Sequence, residues 1–286
     1  MLAASKRSNV KIPFVKMHGL GNDFVVLDQR ERNFNLSPAQ IAHLADRRFG
    51  IGCDQLLSLE TPQAVEAAVR YRVYNADGSS AEHCGNGVRC VARYLERRGE
   101  AQAGTVRVEI GGDVFELALL ADGQVRVDMG APRFAPADIP LAVEAEADRY
   151  ALAHDGQRYE FGAVSMGNPH AVFEVESTDS APIAALGALL QDHVLFPRRV
   201  NVGFMQVIDA NHIRLRVFER GAGETKACGT GACAAVAVGR RWRRLGAAVR
   251  VELSGGELTI AWDGEPRHSL WMTGPATFVF EGSIEL

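Results

Sequence analysis

Lysine is scarce in this chain of 286 residues, confined to Lys6, Lys11, Lys16 and Lys226, which leaves a short list of Schiff-base candidates. Positive charge is also outweighed: Lys plus Arg number 31 against 35 Asp plus Glu, a net charge of −4. A mildly acidic chain gives no global electrostatic case for nucleic acid or an anionic membrane, so neither partner is expected. Long apolar runs are missing. The longest, around Ala232–Val238, is small-sided and far short of the roughly 18 to 20 residues of a membrane span. The N-terminal segment MLAASKRSNVKIPF is basic but lacks the apolar stretch of a secretion signal, so the expected location is the cytoplasm. Cysteine is odd in number, five, at Cys53, Cys84, Cys90, Cys228 and Cys233, which is no disulfide framework. No pair has CxxC spacing, and the eight histidines form neither HxxxH nor HExxH, so no metal site is expected. What remains is enough for a core. Hydrophobic residues make up 47% and charged residues 23%, fitting one large domain or two of ordinary size.

A divergent internal repeat organises the chain. NADGSSAEHCGNGVRCVARYL and ERGAGETKACGTGACAAVAVG share a Cys-Gly-x-Gly core, and their cysteines are 228 − 84 = 144 residues apart. Gly21-Asn22 in MHGLGNDFVV matches Gly167-Asn168 in SMGNPHAVF, 168 − 22 = 146 apart, and Gln55 falls opposite Asn201 at the same offset. Asn75 and Glu219 each lie nine residues before their cysteine. Four matches in one order point to duplication of a unit of about 140 residues. Alternating segments at 105–109, 114–120, 124–128, 171–175, 212–217, 249–253 and 257–262 read as strands. Asp122-Gly123 and Gly255-Gly256 read as hairpin turns. Ser37-Pro38 before AQIAHLADRR reads as a capped helix with a basic last turn. Each Cys-Gly-x-Gly segment leads into a run of small and apolar residues, read as a buried helix whose first turn contains the cysteine. The expected fold is α+β: two pseudosymmetric halves, each a curved, mostly antiparallel sheet wrapped on a central helix. Residues 1–129 and 130–274 form the halves, with the boundary near Gly130-Ala131-Pro132, and residues 275–286 return to the first.

A cysteine at a helix start followed by Gly-x-Gly brings three effects together. First-turn N–H groups lack helical partners, the macrodipole favours an anion, and glycine permits close approach to the backbone. The same field is expected to lower the thiol pKa. Two such sites facing each other suit inversion at the carbon next to a carboxylate, one thiolate removing a proton and the opposite thiol supplying one. Cys84 and Cys228 are therefore the candidate acid–base pair, while Cys53, Cys90 and Cys233 read as packing residues. The GLGND glycines fail the G-x-G-x-x-G spacing, and RRWRR at Arg240–Arg244 reads as a basic helix end.

The segments KMHGLGNDFVVLD, FGIGCDQLL, NADGSSAEHCGNGVRC, GNPHAV, ERGAGETKACGTGACA and MTGPATFVFEG resemble diaminopimelate epimerase, in order, over about residues 12–284. The resemblance implies a pseudosymmetric two-domain fold, usually homodimeric. It implies conversion of L,L- to meso-diaminopimelate with no cofactor, serving lysine and peptidoglycan precursor synthesis. In that direction it assigns Cys84 as proton donor and Cys228 as acceptor, the roles exchanging in reverse, with His170 and Glu219 supporting the thiols. Substrate-binding positions carry over to Asn22, Gln55, Asn75, Gly85, Asn86, Asn168, Asn201, Glu219, Arg220, Gly229 and Thr230. Chemically, Glu219 can accept from an ammonium, Arg220 can grip a carboxylate at two points, and the asparagines can do either. Two departures stand out: His83, where the family more often has an apolar residue and which is expected to face solvent, and Phe278 and Phe280, at positions commonly His and Tyr. Competing readings are a racemase or isomerase of another small amino acid, a thiol hydrolase with His170 as base, and a binding module without turnover.

Overall fold

A computed structural model describes residues 11–81, 85–154 and 156–286. Cys84 and His83 lie outside the described residues.

Contacts divide the chain into two units. The first comprises the described residues up to His18, those of Asp23–Glu116, and Ala276–Leu286; the second comprises Gly19–Asn22 and Leu117–Pro275. In chain order the first unit carries β1 (Lys11–Gly19) except its last residue, β2 (Asn22–Asp28) except its first, α1 (Pro38–Ala45), β3 (Gln55–Glu60), β4 (Val69–Asn75), β5 (Ser80–Ala81), α2 (Gly85–Arg97), β6 (Thr105–Ile110) and the start of β7 (Asp113–Leu119). The second continues with β8 (Val125–Asp128), β9 (Tyr150–His154), β10 (Gln157–Ser165), β11 (Pro169–Glu174), α3 (Ile183–Gln191), β12 (Asn201–Asp209), β13 (His212–Glu219) and β14 (Gly223–Thr225). Next come α4 (Gly229–Arg241), β15 (Ala248–Leu253), β16 (Gly256–Ala261) and β17 (Trp271–Gly274). The last strand, β18 (Thr277–Glu285), runs antiparallel to β1 from Lys11↔Glu285 to His18↔Thr277. β8 pairs with β17, so residues just before Gly130-Ala131-Pro132 cluster with the second unit.

The duplication is visible in strand register. In the first unit β2 pairs parallel with β3, Phe24 opposite Gln55; in the second β11 pairs parallel with β12, His170 opposite Asn201. The offsets are 170 − 24 = 146 and 201 − 55 = 146. Val73↔Ala81 in β4–β5 likewise matches Val217↔Thr225 in β13–β14, each shifted by 144. α2 and α4 both have 13 residues and start at Gly85 and Gly229, again 144 apart. Each unit also contains a second parallel pair, β4 with β6 and β13 with β15. The sheets are thus mixed, with antiparallel pairings such as β3–β4 and β12–β13 between the parallel ones.

Local chemistry explains the elements. Ser37 accepts from the Gln40 N–H at 3.3 Å while Gln40 accepts from the Ser37 N–H at 3.0 Å, a reciprocal cap completed by Pro38 in the first turn. α1 stops at Ala45 with Asp46 as C-cap, so its last turn carries His43 as the basic residue, and Arg47 and Arg48 lie beyond it. α4 ends as expected, with Arg240 and Arg241 in its last turn. Both central helices are buried along nearly their whole length, the pattern of a helix covered on all sides. The second unit also packs a phenylalanine cluster, with Phe161 5.6 Å from Phe173 and 5.7 Å from Phe196 between ring centroids.

Candidate active site

The second-unit site is built at the start of α4. Cys228 is the N-cap residue rather than a member of the first turn, a small correction, and its Sγ accepts from the Gly231 N–H at 3.4 Å. The second glycine of the motif is therefore needed for packing as well as for backbone access. A Cβ at Gly231 would stand 3.0 Å from Val217 Cγ2 and 3.2 Å from Cys228 Sγ. Gly87 is its counterpart in α2, where a Cβ would meet Tyr71 Oη at 2.5 Å and Leu57 Cδ2 at 3.2 Å.

Around Cys228 runs a connected set of polar groups. Thr230 Oγ1 lies 3.6 Å from Cys228 Sγ and accepts from Asn168 Nδ2 at 3.4 Å. Asn168 Oδ1 accepts in turn from His170 Nε2 at 2.9 Å. Glu219 also hydrogen-bonds to Cys228 and accepts from the Thr225 hydroxyl. Asn201 spans the ends of β11 and β13: its Nδ2 donates to the Pro169 carbonyl at 3.3 Å and its Oδ1 accepts from the Arg220 N–H at 2.9 Å. The Arg220 guanidinium donates to the Arg198 carbonyl at 3.3 Å. Asn22 belongs to the same contact unit, beside Gly21, whose added Cβ would meet Lys226 Cδ at 3.2 Å. Thus Asn22, Asn168, His170, Asn201, Glu219, Arg220, Cys228, Gly229 and Thr230 are in one unit.

Electrostatics corrects one expectation. Burial pushes the Cys228 thiol well above its ordinary value, and the neighbouring Glu219 charge pushes it further up. The Thr230 hydroxyl and Gly231 amide pull the other way without prevailing. A helix terminus offers a thiolate about half a charge, whereas burying an anion beside a carboxylate opposes it through both desolvation and repulsion. His170 is moved down to about 3 by burial and by the Arg220 charge, and rests neutral. Its ring is bonded to Asn168, not to Cys228, so the imidazole–thiol pair of a hydrolase is not formed at Cys228.

In the first unit, Gln55 Nε2 donates to Asn75 Oδ1 at 3.2 Å, and Asn75 Nδ2 donates to Ser79 Oγ at 3.0 Å. Gly85 and Asn86 open α2 and are held by Arg89, a fully buried side chain. Its guanidinium reaches the Gly85 carbonyl at 3.2 Å and Asn86 Oδ1 at 3.0 Å. Sequence reasoning passed over Arg89 and Thr225. The signals were an arginine inside an otherwise apolar helix, and a hydroxyl three residues before the second cysteine. Cys53, Cys90 and Cys233 are buried, as expected of packing residues, and burial lifts Cys53 to about 11. Among the described residues no cluster of three or more His, Cys, Asp or Glu could hold a metal ion, and no helix is long and apolar enough to cross a membrane.

Comparison with other proteins agrees with this architecture. The diaminopimelate epimerase family profile matches residues 14–135 and 162–279. A diaminopimelate epimerase of Halorhodospira halophila is 56% identical over 273 residues, covering 96% of this chain and 95% of that protein. One from Pseudomonas aeruginosa is 51% identical, covering 96% and 99%. Among solved structures, a hydroxyproline epimerase from Agrobacterium vitis superposes with a TM-score of 0.71 at 15% identity, over 96% of this chain and 93% of that one. A Bacillus anthracis protein of the PhzF family gives 0.67 at 14%, over 96% and 99%. These distant structures share the fold. The chain belongs to the diaminopimelate epimerase family.

Proposed function

We propose that this chain epimerises diaminopimelate, converting the L,L form to the meso form in lysine biosynthesis, through Cys84 and Cys228. The observation that carries the reading is the near-full-length match to diaminopimelate epimerases, with both Cys-Gly-x-Gly motifs intact at equivalent points of a duplicated fold.

The chemistry follows from inversion. A single group on one face tends to return the proton to the side it left, so an acid and a base are needed on opposite faces. Cys228 rests as a thiol and therefore needs an acceptor for its own proton before it can act as base. Glu219, already hydrogen-bonded to it, is that acceptor. The S–H bond of Cys228 breaks toward Glu219, the thiolate takes the substrate α-proton, and the S–H bond of Cys84 delivers a proton to the other face. The balance closes when Glu219 releases a proton to solvent and Cys84 regains one. In the reverse direction the thiols exchange roles. First-turn N–H groups at the start of α4, beside Cys228, are suited to charge that develops on the substrate carboxylate. His170 holds Asn168, and through it Thr230, beside the thiol. Gln55, whose Nε2 is committed to Asn75, presents Oε1 as an acceptor suited to an ammonium.

The enzyme is read as a cytoplasmic homodimer acting on a small molecule without a cofactor. Val279 and Phe280 on β18, 53% and 48% exposed, support a self-association surface. Incubation with L,L-diaminopimelate in D₂O tests the function. Interconversion with meso isomer and solvent deuterium at the inverted carbon is expected. Turnover of proline or hydroxyproline but not diaminopimelate would replace the substrate, and ligand binding without exchange would leave a binding module.

A further inference from the structure

Where β2 and β3 begin, two aspartates hold each other's backbone. The Asp23 N–H donates to Asp54 Oδ2 at 3.1 Å and the Asp54 N–H donates to Asp23 Oδ1 at 2.9 Å. Arg47 bridges them, with Nη1 and Nη2 at 2.9 and 2.7 Å from Asp23 and Nη2 at 2.7 Å from Asp54 Oδ1. From the inside, Lys16 Nζ donates to Asp23 Oδ2 at 2.5 Å and to the Gly52 carbonyl. Burial favours the neutral Asp23 carboxyl, but Arg47 and Lys16 overcome it and hold that carboxyl well below the usual carboxylate range.

Strand pairing does not require these charges. The second unit makes the same parallel junction in the same register, and its positions 146 residues on from Asp23 and Asp54 are Pro169 and Val200. There the Asn201 carboxamide on the Pro169 carbonyl ties the strands. Stability is also a weak reason, because the Arg47 and Asp54 side chains are 57% and 44% exposed and exposed ion pairs contribute little. What sets the first unit apart is that Gln55, the counterpart of Asn201, does not tie the two parallel strands with its own side chain. Asp54 directly precedes Gln55, whose side chain reaches Asn75 on β4.

We propose that Asp23, Asp54 and Arg47 form a positioning latch that fixes the entry of β3 and thereby aims the Gln55 carboxamide at the substrate. The inference rests on the epimerase reading above. The latch acts through Gln55 and touches no reacting atom, so its loss weakens binding of ground state and transition state alike.

The half-exposed members allow a test that spares the core. Asp54→Ala and Arg47→Ala should each raise KM for diaminopimelate about fivefold or more with kcat within about twofold of wild type. Their Tm should stay within about 2 °C, and Arg47→Lys, which keeps the charge but not the two-point fork, should recover part of the KM. In a Gln55→Ala background, adding Asp54→Ala should change KM by less than about twofold, since the latch has then lost its object. An unchanged KM in Asp54→Ala, a full multiplicative effect in the double variant, or loss of Tm and kcat at constant KM would each overturn the latch. A wild-type enzyme inactive on diaminopimelate would instead refute the functional reading, and the latch with it.

Discussion

Cys228 is a buried thiol with a carboxylate for a neighbour, and that pairing sets how it ionises. The Glu219 charge opposes the thiolate, so Glu219→Gln should lower the pH at which Cys228 reacts with iodoacetamide while epimerisation falls. The pH profile of alkylation, followed by peptide mapping, checks this; an unchanged profile would remove Glu219 from the thiol's surroundings. His170 makes a complementary prediction. Its folded-state value of about 3 lies below the ordinary 6.5, so burial favours the neutral ring. That contribution is fully present above pH 6.5 and is lost as pH falls toward 3. Urea unfolding at pH 7 and pH 5 should show wild type losing about 2 kcal/mol more than His170→Gln over that interval. Equal losses would mean that His170 is not buried neutral.

The helix that follows each Cys-Gly-x-Gly motif is positioned by close packing at its second glycine. Gly87→Ala should cost about 1–3 kcal/mol in urea unfolding, because its Cβ meets a buried tyrosine hydroxyl at 2.5 Å. An unchanged midpoint would show that α2 has room to shift. Both of these helices were legible in the sequence, since the motif marks their start and the apolar run their length. Two hairpins were legible too: β7–β8 turns at Asp122-Gly123 as expected, while β15–β16 turns at Ser254-Gly255, one residue before the expected Gly255-Gly256, because Gly256 already pairs with Leu253. β2 and β3 were not read, because Phe24–Leu27 and Leu56–Leu59 are buried without a break and so carry no alternation. α3 was missed for another reason. Its N-cap, Pro182, makes no side-chain cap, and Gly187 sits mid-helix against Phe218. At the site, residue types and spacing singled out Cys228 and Glu219, and the family resemblance added Thr230, but the outcome of burial against helix dipole at the thiol depends on solvent exclusion that spacing does not encode.

At the scale of the whole chain, the C-terminal segment completes the unit with which the chain begins. β18 is the partner of β1 along eight residue pairs, and Phe280 packs edge-on against Phe14 at 5.9 Å. Removing residues 276–286 should strip that partner from a strand carrying buried Ile12 and Met17. Early protease cuts within the first unit are expected, and a truncated protein as resistant as wild type would contradict this. The duplication itself makes the central claim: one thiol from each repeat, neither dispensable. Its most direct test is turnover of L,L-diaminopimelate by Cys84→Ala and Cys228→Ala, each checked for native unfolding behaviour. Both variants should fall below about a tenth of wild-type kcat, a barrier increase above ~1.4 kcal/mol. Either variant retaining more than that would contradict a two-thiol epimerisation.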